Sequence, residues 1–363
     1  MRTGLAHLPL HGGKAPAWLF SRMVRLAREI VCHLVAEQGP GEVLVRLSDP
    51  FWFQAFGCVL GFDWHSSGVT TTTCGAVKEG IKGLERELGF FAAGGKGAIS
   101  RRTPAEITAA CDGLSRDPEP LVHASRLSAK VDNSAVQDGY QLYHHCFFFT
   151  SDGQWCVVQQ GMNDSNGTAR RYHWLGQGLQ SFVNEPHAAI CCDARAETLN
   201  LVAVESNEAR AAMTEIIRHP DRDVFSVFHR LPNLVLPHRH SLMDADVNPR
   251  YFQKILLRTY ECAPKDFETL LGIEGMGSKT LRALALVAEL IYGTKTSTRD
   301  PARFAFAHGG KDGTPHPVDR PTYEHTISVL HDALVQARLD RTDKIKALKR
   351  LASFASSTTR KGA

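Results

Sequence analysis

Apolar residues recur at three-to-four spacing through AWLFSRMVRLAREIVCHLVAEQ, aligning Leu19, Met23, Leu26, Ile30 and Leu34 on one face. That period predicts a helix opened by proline and stopped at Gly39-Pro40. An aromatic-rich stretch opens at Asp49-Pro50, and its second half, Val69 to Leu88, is expected to be helical despite its threonine pairs and glycines. GGKGAISRRTPAEI predicts a loop, closed by Thr103, Pro104 and Glu106 as N-cap, first-turn proline and capping-box glutamate. From about Tyr140 the period drops to that of a strand. YQLYHHCFFFT and QWCVVQQGMN, joined at Ser151-Asp152-Gly153, predict a β-hairpin. ETLNLVAV predicts another strand and Asn207 to Ile217 a helix.

Pro232, Pro237 and Pro249 mark residues 232–250 as a non-repetitive connection, after which the pattern is helical, with helices expected over Thr322 to Ala337 and Lys344 to Ala355. The fold class expected is therefore α+β. A mixed helix and hairpin-sheet domain would span residues 1–240, and an all-helical domain would span 250–355.

The chain has 363 residues, 43% of them hydrophobic and 22% charged, enough for two or three ordinary globular domains. Nine cysteines in irregular spacing, with no CxxC pair, argue against structural zinc and a secreted disulfide framework, and predict reduced thiols in the cytoplasm. No apolar run is long enough for a signal peptide or a membrane span. A net charge of +4 does not by itself identify a nucleic-acid binder. Local clusters carry more weight, and Arg170-Arg171 is a candidate DNA-facing pair.

DFETLLGIEGMGSKTLRALALVAELIYG reads as a short helix, a tight turn and a second helix starting near Ser278. It resembles the helix-hairpin-helix of many DNA-binding proteins and is placed at 267–290. Gly275 and Gly277 would let the backbone approach a phosphate closely, and the amides at Ser278, Lys279 and Thr280 would supply donors at a helix start. Phosphate contacts carry no base information, so the motif predicts sequence-independent binding of DNA. The same segment resembles the hairpin of base-excision glycosylases. In that resemblance Lys279 matches the amine nucleophile of the lyase members and Asp319, in PHPVD, the family aspartate. Asp319 lies forty positions after Lys279, about twice the usual interval and a departure from that pattern.

Polar residues of catalytic type are dense before residue 240. Asp132, Asp138, His144, Gln160, His173 and Glu205 are the candidates for a hydrolytic site, with Asp138 and Asp132 as ligands to magnesium or manganese. His144 and His145 are adjacent on a strand and should face opposite ways. The tetrapeptide HGGK occurs at His11 to Lys14 and again at His308 to Lys311, and both copies are candidate phosphate loops.

The stretches MRTGLAHLPLHGGKAPAWLFSRMVRLAREI, DPFWFQAFGCVLGFDWHSSGVTTTTCGAVKEG, KVDNSAVQDGYQLYHH, WCVVQQGMN, ARRYHW and FAHGGKDGTPHPVD together resemble the archaeal and bacterial family catalogued as domain of unknown function 763. The resemblance spans essentially the whole chain. It implies no chemistry, but it makes the hairpin part of the whole protein, which favours a DNA-directed role. The leading expectation is a metal-dependent, structure-directed DNA nuclease. The alternatives are a glycosylase or AP lyase using Lys279 and Asp319, and a non-catalytic DNA-binding scaffold partnered with a helicase or polymerase.

Overall fold

The computed structural model describes residues 15–62, 66–192, 195–219, 259–302 and 320–360. The first part of the chain is helical: α1 (Ala17–Gln38), α2 (Pro40–Ser48), α3 (Pro50–Leu60) and α4 (Gly68–Gly80). Proline falls in the first turn of both α2 and α3, where its missing N–H costs nothing. Asp49 caps α3, its Oδ1 accepting from the amides of Phe51 at 2.7 Å and Trp52 at 3.2 Å.

A short helix α5 (Glu85–Leu88) leads to strand β1 (Phe90–Lys96), followed by α6 (Thr103–Asp112) and α7 (Glu119–Lys130). After a π-helical turn at Val131–Ala135, the strands are β2 (Val136–Gln137), β3 (Gln141–Thr150), β4 (Trp155–Asn163), β5 (Thr168–Leu175), β6 (Ala189–Cys191) and β7 (Leu199–Asn200). Five of them form an antiparallel sheet in the order β1-β3-β4-β5-β6, and β2 pairs with β7 alone. Beyond α8 (Asn207–Arg218), the described residues form helices α9 (Phe267–Gly272), α10 (Ser278–Tyr292), α11 (Arg320–Gln336) and α12 (Arg341–Arg360), with one isolated bridge between Asn200 and Ser297. The α+β arrangement expected from the pattern is the one observed, a mixed region followed by an almost all-helical one.

Helices cover both faces of the sheet. On the first face, Phe91, Phe147, Phe149, Val157, Tyr172 and Trp174 pack with residues of α6, α7 and α8 and with α9 and α10. On the second, Phe90, Cys146, Phe148, Cys156 and Val158 pack with α1 to α4, α11 and α12. The run Phe147-Phe148-Phe149 is continuous because alternate residues enter different cores. The C-terminal helices thus divide between the two layers.

Four local expectations change. Arg102 and not Thr103 is the N-cap of α6, without a side-chain cap: the Thr103 hydroxyl donates to the Ser100 carbonyl, and Glu106 accepts from the Gly94 amide and Lys78. The helix expected over Val69 to Leu88 ends at Gly80, and α5 is separate. The strand expected in ETLNLVAV shrinks to β7, two residues long. The expected GGKG loop is instead the end of β1 followed by a 3-10 turn at Gly97–Arg102. Gly94 explains why that strand is glycine-rich. It has φ +85°, and a Cβ there would lie 2.3 Å from the His145 carbonyl and 2.5 Å from Thr103 Oγ1. The connection over 232–250 lies outside the described residues.

Gly94→Ala is expected to lower the unfolding free energy by at least ~2 kcal/mol in urea titrations, because strain and a backbone collision add. Gly97→Ala, at φ +61° with open space around it, should cost only ~1 kcal/mol.

Candidate functional site

The hairpin turn lies at the surface. Gly272, Glu274, Gly275 and Lys279 are exposed, while Met276 is fully buried and anchors the turn to the first-face core. Gly275 adopts φ +90°, as the turn requires, and Gly277 precedes α10 without a side-chain cap. A Cβ built on Gly277 meets nothing within 4 Å, so the backbone faces open space. The turn is held from beneath: Lys130 Nζ donates to the Ile273 carbonyl at 3.3 Å, and Gln137 Nε2 donates to the Ser278 carbonyl at 2.8 Å. Gln137 Oε1 in turn accepts from Arg282 Nε at 2.8 Å. Thr280 is buried, its hydroxyl 3.5 Å from the Gly275 carbonyl.

The first sheet face carries two buried polar networks. Asp132, drawn inward by the π-helical turn, has an Oδ2 that accepts from Gln159 Nε2 at 2.6 Å and Trp174 Nε1 at 2.9 Å. His187 Nε2 lies 2.5 Å from its Oδ1. With the Gln159 amide nitrogen committed to a carboxylate, its Oε1 must accept from His145 Nδ1, 2.7 Å away. His145 Nε2 is then the bare nitrogen, and the Ser125 hydroxyl donates to it at 2.9 Å. Ser125, His145, Gln159 and Asp132 are all buried, so this chain is internal wiring. Burial pushes the His145 pKa down, opposed by the bond to Gln159 and the charge of Asp132.

Asp138 belongs to the second network. Its Oδ2 accepts from Arg170 Nη1 at 2.9 Å and the Tyr172 hydroxyl at 2.7 Å, and its Oδ1 accepts from the Tyr140 amide at 3.0 Å. Arg170 Nη2 donates to Asp300 Oδ2 at 2.8 Å, which ties the segment after α10 to β5.

On the second face, a row runs across the sheet by cross-strand pairing: Lys96, His144, Gln160, Arg171 and Cys191. Arg171 donates to Gln54 Oε1 at 3.1 and 3.2 Å and lies over the Phe53 ring at 4.7 Å. Its Nε donates to His173 Nε2 at 2.9 Å, so His173 Nδ1 carries the proton and donates to the Leu47 carbonyl at 3.0 Å. Burial, reinforced by the Arg171 charge, pushes His173 well below the usual imidazole range. Toward the other end of the row a cleft of about 1450 Å³ opens between α1, the start of α4 and the β1–β3 edge, and His144 and Tyr143 line it.

The six expected catalytic residues do not converge. Asp132 and Asp138 lie on the first face and are held by different internal donors, whereas His144, Gln160 and His173 lie on the second. The sheet lies between the two sets: the aspartates come from the π-helical turn and from the residue after β2, while the other three share one face of the strands, where alternation sends His144 and His145 to opposite sides as expected. Glu205 is apart from both, half-exposed and paired with Arg299 at 3.1 Å. Among the described residues, no group of three or more His, Cys, Asp or Glu side chains is placed to hold a metal ion. Nor are Arg170 and Arg171 at a DNA-facing surface, because both guanidinium groups are buried in the networks just described. Ser278, Lys279 and Thr280 stand at the start of α10 as expected. His11, Lys14, His308, Lys311 and Asp319 lie outside the described residues. Lys96 and Tyr143 of the cleft were missed: Lys96 sits in an apparent glycine loop, and Tyr143 reaches the cleft through a bulge between Leu142 and His144 that no pattern announces.

A helix-covered antiparallel sheet carrying a surface helix-hairpin-helix defines the architectural class. The chain belongs to the family described as "Protein of unknown function (DUF763)", whose model matches residues 4–318. No curated protein and no solved structure matches the chain. Among the described residues, no helix is long and apolar enough to cross a membrane.

Asp132→Asn should destabilise the fold by about 1–3 kcal/mol in urea titrations, since one amide oxygen cannot serve the donors now shared by two carboxylate oxygens. Acid should act through the histidines. Burial, with smaller contributions from His145 and Lys96, holds His144 down at about 3, and His145 and His173 shift in the same direction. Below about pH 6.5 the unfolded chain takes up protons that the folded chain refuses, so stability falls with pH by up to ~1.4 kcal/mol per pH unit per histidine. Urea midpoints measured from pH 7.5 to 5 should show this slope, and His144→Phe should flatten it.

Proposed function

We propose that this protein binds DNA without regard to base sequence, by setting backbone phosphates against the turn at residues 273–280. The observation that carries the reading is the exposed turn itself, with Gly275 at φ +90°, open space before Gly277, and the start of the fifteen-residue helix α10 behind it. Oriented amides and the positive end of a helix dipole favour an anion there, and Lys279 adds a charge on the exposed side. Cytoplasmic DNA is the proposed partner, and a helicase or polymerase could share it.

Cleavage through a metal at Asp132 and Asp138 would require each carboxylate to give up its internal donors, so the proposal stops at binding. AP-lyase chemistry is the second reading. What favours it is Lys279, exposed in the first turn of α10.

Gly277→Ala makes a clean test, because φ is −103° and the added methyl meets no protein atom. Its melting temperature should match that of the parent, while affinity for a labelled duplex in anisotropy titrations drops at least roughly fivefold through lost phosphate contact. Lys279→Ala should lower the slope of log K against log salt by about one. Unchanged affinity in both folded variants would remove the hairpin from DNA binding. On abasic duplex, a borohydride-trapped adduct that disappears in Lys279→Ala would extend the function to lyase chemistry.

A further inference from the structure

The hairpin leaves unused the cleft on the far side of the sheet, and within that cleft His144 is the anomaly. A buried imidazole ordinarily finds a partner for its nitrogens, and the nearby His145 and His173 each use both. His144 is 2% exposed, yet neither of its ring nitrogens has a hydrogen-bond partner. Its ring lines the cleft. Such a side chain, buried without partners in the wall of a cavity, marks a place where a ligand can supply what the fold does not.

The neighbours specify the ligand's chemistry. Gln160 Nε2 donates to the Ser67 carbonyl at 2.9 Å and to the Tyr143 hydroxyl oxygen at 2.5 Å. With that oxygen acting as acceptor, the hydroxyl proton of Tyr143 remains to be donated into the cleft. Lys96, opposite His144 in the register, is exposed, and its ammonium lies 5.6 Å from the centre of the Tyr143 ring. The other lysine of the cleft, Lys78, is consumed by Glu106 and the Gly94 carbonyl. Glu79 is offset by Lys82 at 3.6 Å. Ser66 and Thr71 stand at the first turn of α4 on the same wall, but Ser66 Oγ accepts from the Gly68 amide at 3.1 Å and the Thr71 hydroxyl donates to the Gly68 carbonyl at 3.3 Å, so this helix end contributes its dipole and no free hydroxyl. The cleft therefore gathers donors and a net positive charge at one end. Phe20 and Phe62 add aromatic surface to the cleft, the Phe62 ring lying against Gly68 at the start of α4.

We infer that this cleft binds an organic phosphate monoester with a planar apolar body, of which a nucleoside phosphate is the plainest case. Its phosphate oxygens accept from His144, Tyr143 and Lys96, and its body lies against Phe20 and Phe62. A phosphate monoester, with three terminal oxygens and ~2 negative charges, matches this donor set better than a carboxylate does.

The test is calorimetry on the full chain with inorganic phosphate, phenyl phosphate, a nucleoside 5′-monophosphate and benzoate. Saturable binding is expected, with phenyl phosphate at least roughly tenfold tighter than inorganic phosphate or benzoate. Lys96→Ala, a change at an exposed position, should weaken phenyl phosphate roughly tenfold, and Lys96→Arg should restore most of it. The His144 imidazole signal in NMR, identified by its loss in His144→Gln, should titrate at higher pH once phosphate is bound, because an anion beside the ring favours its protonated form. Gly277→Ala should leave all of this intact, which separates the cleft from the hairpin. Competition by a 5′-phosphorylated oligonucleotide, and not by its unphosphorylated form, would name a nucleic-acid end as the source. Competition by the mononucleotide alone would name a free metabolite. Absence of saturable binding by every phosphate monoester, benzoate binding as tightly as phenyl phosphate, or unchanged affinity in Lys96→Ala would overturn the inference.

Discussion

The fold depends on a sheet buried on both faces. Strands β3, β4 and β5 are buried at successive positions, so neither face is given to water, and helices cover each. Register is consequently strict. A one-residue slip of β4 against β3 would exchange Gln159 for Gln160, and with them every partner on either side. The acceptor for His145 would be lost from the first face while an uncompensated amide entered the second. Polar residues at the centre of the sheet thus specify pairing that the phenylalanines alone would leave degenerate.

Such specification costs desolvation. Asp138 and Arg170 are both withdrawn from water, and burial works to raise the carboxyl pKa while the guanidinium and the Tyr172 hydroxyl pull it down. An ion pair of this kind contributes little net stability compared with a well-packed apolar pair, but removal of one member leaves a stranded charge. Arg171 illustrates the same economy with neutral partners: Gln54, Thr70 and His173 each turn a lone pair toward it. His144 departs from that pattern, because both of its ring nitrogens are buried without a hydrogen-bond partner.

The sequence made much of this legible where one period dominates. Helix α1, the β3–β4 hairpin, α8 and the two helices flanking the turn at 273–277 follow from spacing, proline and glycine. The division of the C-terminal helices between two faces is not encoded in any local window, because it depends on which core each apolar stripe completes. Site residues fared worse for a related reason. Asp132, Asp138, Arg170 and Arg171 have the composition of an active site, yet pairing across distant segments spends their charge internally, as with Arg170 and Asp300. Spacing cannot distinguish a carboxylate awaiting a metal from one already satisfied by an arginine. Lys96 and Tyr143 were invisible for the opposite reason, since a glycine strand and a bulge create their alignment.

A single dipeptide joins the hairpin to the sheet. Gln137 reaches out to the Ser278 carbonyl and Arg282 of α10, while Asp138, the next residue, reaches inward to Arg170 and Tyr172 of β5. The turn that faces solvent is therefore braced against a buried ion pair, and Met276 and Lys130 fix it from two further directions. A platform held in this way has little conformational freedom left to lose when it meets a phosphate, so binding need not offset the ordering of a loop. The same bracing separates the two proposed sites. The cleft lies across the sheet, and the only charged residue in its row that reaches solvent is Lys96, at the edge opposite β6. The two proposed anion sites can act independently, because the sheet that keeps Asp132 and Asp138 apart from His144, Gln160 and His173 also lies between them.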